Sequence, residues 1–230
     1  MTSAPTTAPT SALALTGRLA PRLNRGLWLL KMFTVIPHFV VLAALWVVFV
    51  TVTFIAGVSI LVTGRYPRPL FDLNTGILRW NWRVGFYGYA MIGTDAYPPF
   101  SLRRTEYPAD LEIAYPERMS RGLVLVKWLL AVPHLVIVGL LGGTIMLYPI
   151  AALNDLGGDL QFLGGYSVLN LLVVIAGFFL LITGSYPGSL FDFLMGINRW
   201  MYRVLIYTAL MSDQYPPFRL DAGATEKELS

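Results

Sequence analysis

The chain has 230 residues, 56% hydrophobic and 13% charged, with a formal net charge of +4 and no cysteine. Soluble domains carry about 25% charged residues, and half that density leaves too little charge to cover a water-facing surface. The composition excludes a disordered chain and a coiled coil, argues against an ordinary cytosolic enzyme, and makes an integral membrane protein the expectation. Without cysteine there is no disulfide framework, thiolate metal site or cysteine nucleophile. The basic residues flank apolar runs instead of clustering, a placement that suits anionic lipid headgroups and sets topology; no nucleic-acid partner is expected.

Residues 1–20, rich in Ala, Thr, Pro and Ser, read as a disordered tail. Arg22–His38 (RLNRGLWLLKMFTVIPH) then reappears as Arg118–His134 (RMSRGLVLVKWLLAVPH), 96 residues later. The stretch from Thr63 (TGRYPRPLFDLNTGILRWNWRVGFYGYAM) reappears from Thr183 (TGSYPGSLFDFLMGINRWMYRVLIYTALM), 120 residues later. Tyr-Pro-Pro-Phe closes both copies, at Tyr97–Phe100 and Tyr215–Phe218. The chain is therefore two copies of one unit: a first repeat over 21–100, a polar linker over 101–117, a second repeat over 118–220 and a polar tail over 221–230. The offsets differ by 24 residues, which places an insertion near 149–170 in the second copy. That segment holds Asp155 and Asp159 but no Lys or Arg, the signature of an extracytoplasmic loop.

Met32–Gly64 is an uncharged run of 33 residues, about 50 Å as one helix against a hydrocarbon core of about 30 Å. In the second copy the insertion divides the matching run into Trp128–Tyr148 and Tyr166–Thr183, which favours a hairpin with the insertion at its tip. The segments from Leu70 and Leu190 read as tilted or interfacial helices. The expectation is an all-α integral membrane protein with four to six membrane helices and two repeats related by pseudo-two-fold symmetry. The basic residues Arg18, Arg22, Arg25, Arg103 and Arg104 argue for a cytoplasmic N-terminus.

The Pro-His, Thr-Gly-x-Tyr-Pro, Leu-Phe-Asp, Arg-Trp-x-x-Arg-Val and Tyr-Pro-Pro-Phe elements resemble a bacterial, mainly actinobacterial, family of multi-pass integral membrane proteins defined only as a domain of unknown function. The resemblance implies a bacterial plasma-membrane protein with two tandem copies of the domain. It implies no reaction, ligand or catalytic residue.

Two constellations carry chemistry. Asp72, Gly76, Arg79 and Arg83 recur as Asp192, Gly196, Arg199 and Arg203, and their spacing puts each set on one helix face. Charges inside membrane segments need partners or water. The stripes read as inter-repeat Asp–Arg pairing, as a face toward lipid headgroups, or as an anion site for a phosphate or carboxylate. The only two histidines, His38 and His134, occupy equivalent positions. They read as helix-packing hydrogen-bond partners, as a proton relay, or as axial ligands of one haem b; no other cofactor and no metal site is expected. The resulting functional expectation is a non-enzymatic membrane accessory or scaffold protein. It would contact membrane lipids, another membrane protein or itself through the duplicated Asp/Arg faces. The alternatives are a small transporter or channel subunit with a polar site between the repeats, and a bis-His haem protein.

Overall fold

A computed structural model describes residues 12–142 and 167–220. Its elements are β1 (Leu13–Gly17), α1 (Leu27–Thr34), α2 (Ile36–Thr63), α3 (Arg68–Tyr87), β2 (Ala109–Ile113), α4 (Arg121–Gly142), α5 (Val168–Thr183) and α6 (Gly188–Thr208). The chain is mostly helical, and α2 and α4 are long and apolar enough to cross a membrane. Most of the segment expected as an extracytoplasmic loop, and both chain ends, lie outside the described residues.

The fold is not all-α. β1 and β2 pair antiparallel, Leu15 facing Leu111. Residues 13–17 thus belong to the folded unit instead of the tail, and 109–113 are a strand instead of linker. The two strands stand 96 residues apart, the spacing of the first repeat segments, so each repeat begins with a strand and Leu15 pairs with its own equivalent. Leu13, Leu15, Ala109 and Leu111 are buried, alternating with more exposed neighbours, the period-two pattern of a half-covered ribbon.

The hairpin expected in the first copy is also overturned. α2 runs unbroken for 28 residues, about 42 Å. Its uninterrupted apolar sequence offers no turn chemistry, and Pro37 sits at its first turn, where a missing N–H costs nothing. The helix stops at Gly64, which takes φ 72°, and α5 stops in the same way at Gly184, φ 73°, the left-handed cap that glycine accepts without strain. α5 starts at Ser167, whose hydroxyl accepts from the Asn170 backbone N–H at 3.0 Å.

Three layers result. α3 and α6 form the middle layer, their side chains largely buried, with Trp82, Phe86, Phe71, Met195 and Ile197 at the centre of the core. The ribbon covers one side, where α3 packs on β2 and α6 on β1. The long helices cover the other, α2 against α3 and α4 against α6. Gly57 of α2 lies against Val124 of α4 and Leu210, and Gly177 of α5 against the Trp28 ring, 3.1 Å from where a Cβ would stand.

The ribbon predicts its own test. Leu15→Ala should lower unfolding free energy by about 2–5 kcal/mol, read as a lower midpoint of thermal unfolding in detergent. An unchanged midpoint would return residues 13–17 to a tail.

Candidate functional site

α3 presents its arginines to the ribbon and the chain beside it. Arg79 donates from Nε to the Leu111 carbonyl at 2.9 Å and from Nη1 to the Leu102 carbonyl at 3.3 Å. It also pairs with Asp110 at 3.2 Å, and Asp110 is shared with Arg104. Arg83, fully buried, donates to the Ser101 and Arg103 carbonyls at 3.2 and 2.8 Å. In the second copy Arg199 donates from Nε to the Leu15 carbonyl at 3.1 Å, and both Arg199 and Arg203 are buried. Asp72 pairs with Arg68 one turn earlier on its own helix, at 3.3 Å on the exposed surface, not with an arginine of the other copy; Asp192 is half-buried. The stripe is thus a strand-anchoring face: guanidinium groups satisfy carbonyls that β1, β2 and residues 101–103 would otherwise bury unpaired. Gly76 belongs to it for space, since a Cβ there would stand 3.0 Å from the Leu102 carbonyl oxygen.

The histidines are both fully buried and identically enclosed. Trp80 Nε1 donates to His38 Nδ1 at 3.1 Å, and Trp200 Nε1 to His134 Nδ1 at 3.1 Å. Phe100 stacks on His38 and Phe218 on His134, each with ring centroids 3.9 Å apart. Tyr97 and Tyr215 complete the two enclosures. Among the described residues, every ring packed on His38 belongs to the first copy and every ring on His134 to the second. A single haem needs both imidazoles on one iron, which these separate enclosures do not provide. The repeated Pro-His and Tyr-Pro-Pro-Phe motifs are two halves of one closure.

A second duplicated closure involves residues to which the repeat pattern assigned no role. Lys31, fully buried, donates to the Thr94 carbonyl at 2.7 Å, pairs with Asp95 at 2.8 Å and lies 5.1 Å from the Tyr87 ring centroid. Lys127 repeats this with the Ser212 carbonyl at 2.8 Å, Asp213 at 2.6 Å and Tyr207 at 5.2 Å. Each aspartate also accepts a backbone N–H from the start of its repeat, Asn24 for Asp95 and Ser120 for Asp213, both at 2.7 Å. A lysine at one offset position and an aspartate two residues before each Tyr-Pro-Pro-Phe were the available signal. Nearby, Asn74 bridges Thr53 and Tyr66, both at 3.0 Å, and burial pushes the Tyr66 phenol up to about 12.

Between α2, α4 and the end of α6 lies a cavity of about 460 Å³. Its walls are apolar, including Trp46, Phe54, Gly57, Val124 and Leu210. Of the hydroxyls in its wall, that of Thr53 accepts from the Asn74 amide and that of Thr208 donates to the Val204 carbonyl.

A family model described as a domain of unknown function (DUF4389) matches residues 25–101 and 165–219, together more than half of the chain. No curated protein and no solved structure matches.

Loss of the indole donor leaves a buried imidazole nitrogen unpaired. Trp80→Phe and Trp200→Phe should each cost about 1–3 kcal/mol. Their effects should add in the double variant because the enclosures share no residue; chemical denaturation in detergent, followed by circular dichroism, measures all three.

Proposed function

The chain belongs to the DUF4389 family, and from that premise we propose that it is a non-enzymatic, membrane-embedded accessory protein: one unit, built from two pseudo-two-fold-related copies, that holds anionic lipid. The observation that carries this reading is the apolar exterior of the long helices. Phe54 on α2, Leu129 on α4 and Ile182 on α5 are 74%, 73% and 74% exposed, and Leu29, Phe33, Val40, Val47 and Val62 continue the same surface. Monomeric soluble proteins do not leave such continuous apolar area in water. Bacterial plasma membrane is the location the motif resemblance suggests.

Arg79, Arg83 and Arg199 donate to protein carbonyls, so the lipid contact assigned to the stripes passes to other arginines. Arg65, Arg68, Arg118 and Arg121 are exposed at the end of α2, the start of α3 and the start of α4, flanking the apolar surface where headgroup phosphates lie. The cavity between α2 and α4 suits an acyl chain better than a hydrated solute, because its walls are almost wholly apolar. That chemistry favours lipid contact over the transporter reading.

Mass spectrometry of co-purified lipid tests the assignment. Replacing Arg65, Arg68, Arg118 and Arg121 by Ser should cost about 1 kcal/mol per arginine near an anionic surface, and so reduce anionic lipid retention more than tenfold. Arg79→Ala should leave retention unchanged and lower thermal stability instead. Retention unchanged in the fourfold variant would sink the headgroup assignment.

A further inference from the structure

We infer that the long helices lie along the membrane in one leaflet instead of crossing it, with the ribbon in water. This rests on the membrane-embedded reading above and adds its geometry. Three observations carry it.

The first is the direction of the helices. Gly57, near the end of α2, meets Val124, near the start of α4. Trp46, earlier on α2, shares a small cavity with Gly142 at the end of α4. α2 and α4 therefore run antiparallel, and Gly177 of α5 meets Trp28 of α1 in the same sense. Equivalent helices placed antiparallel are related by a two-fold axis perpendicular to them. The ribbon obeys the same axis, since Leu15 pairs with its equivalent Leu111.

The second is the position of charge. The axis passes through the ribbon. If the long helices crossed the bilayer, the axis would lie in the membrane plane and the ribbon at mid-depth. Arg104, which pairs with Asp110 and Glu112 of β2, would then stand in hydrocarbon, where exposed charge is expensive. Arg103, Arg104, Glu106 and Glu112 are all exposed on this side. With the axis along the membrane normal they face water, and the apolar helices on the opposite side of the α3–α6 layer face the acyl chains.

The third is length. α2 alone has 28 residues and is about 42 Å long, against a hydrocarbon core of about 30 Å, and Leu29 and Phe33 of α1 extend the apolar exterior beyond it. Spanning with α2 straight would require a tilt of about 44°, beyond the 0–40° of transmembrane helices. Lying in the interface needs no such match. The occupant of the apolar face is therefore one leaflet of an anionic bilayer, and the exposed Arg22, Arg25, Arg65, Arg68, Arg118 and Arg121 at the helix ends complement its headgroups.

Sidedness labelling decides this, and the absence of native cysteine gives it no background. Arg25→Cys and Arg65→Cys mark opposite ends of α1–α2, Glu112→Cys marks the ribbon, and Arg22→Cys and Arg68→Cys replace either end variant that fails to accumulate. The probe is a membrane-impermeant maleimide on spheroplasts and on inverted membrane vesicles. Lodging in one leaflet predicts that both helix ends label from the side that labels Glu112→Cys, with loss of labelling from the other side. Labelling of the two ends from opposite sides would overturn the inference while leaving the membrane reading intact. Recovery of the full-length protein in the soluble fraction, away from the membranes, would overturn the membrane reading and this one with it.

Discussion

The pairing of Leu15 with Leu111 is the constraint on which the architecture depends. A two-stranded ribbon is marginal by itself in water, and here two five-residue strands come from chain segments almost a hundred residues apart. They hold because α3 and α6 supply what the ribbon lacks. Arg79 and Arg199 donate to the Leu111 and Leu15 carbonyls, and Trp82 Nε1 donates to the Thr16 carbonyl at 2.9 Å. Those donors sit in the middle of their helices, so the helices must lie across the strands. That crossing brings residues 101–103 over Arg83 and the Leu102 carbonyl against Gly76. The arginine stripe is long because it fastens a ribbon and the chain beside it.

The closures at the other end of each unit follow the same economy. A buried ammonium is tolerable only when its partners are close and fixed. Lys31 and Lys127 each find a carbonyl, a carboxylate and an aromatic face. Asp95 and Asp213 lie just before the Tyr-Pro-Pro-Phe segments, whose tyrosines donate to the Thr34 and Leu130 carbonyls at 3.1 and 3.2 Å. The prolines hold this segment extended, so that the phenylalanine reaches its histidine. The loop after α3 or α6 is thereby bound to the start of the long helix by an ion pair, a phenol and a stacked ring.

The repeat, the helical content and the shared face of the arginines could be read from the sequence because each rests on local spacing. The strands could not. Over 13–17 and 109–113 the copies share only the Leu15/Leu111 identity, and five-residue segments that include Ala and Gly, or Ala, Asp and Glu, carry little strand signal until a distant partner arrives. The stripe's partners escaped for a related reason. The sequence offered Asp72 and Asp192 on the same faces, whereas Arg79 takes its carboxylate from Asp110, on a strand outside the helical pattern. The roles of Lys31 and Lys127 were hidden because a lone lysine in an apolar run reads as a topology signal. Its meaning depends on Asp95 or Asp213, which reach it only through the fold.

The two copies have not stayed equivalent, and the difference is physical. At matching positions the first copy has Trp28, on α1, and the second Val124, on α4. Trp28 packs against Gly177 and tilts against Phe178, with ring centroids 6.2 Å apart. Val124 faces Gly57 at 4.0 Å from the Cβ position and helps line the cavity between α2 and α4. An indole fills on one flank of the unit what an isopropyl group leaves open on the other. Among the described residues, the part of the second copy that matches α2 falls in two helices, α4 and α5, where α2 runs unbroken. The two halves share one ribbon, and Val124, where the other copy has Trp28, borders an open flank while the two closures keep the same partners. On the proposed lipid reading, the apolar cavity bounded by α2 and α4 is where an acyl chain would sit.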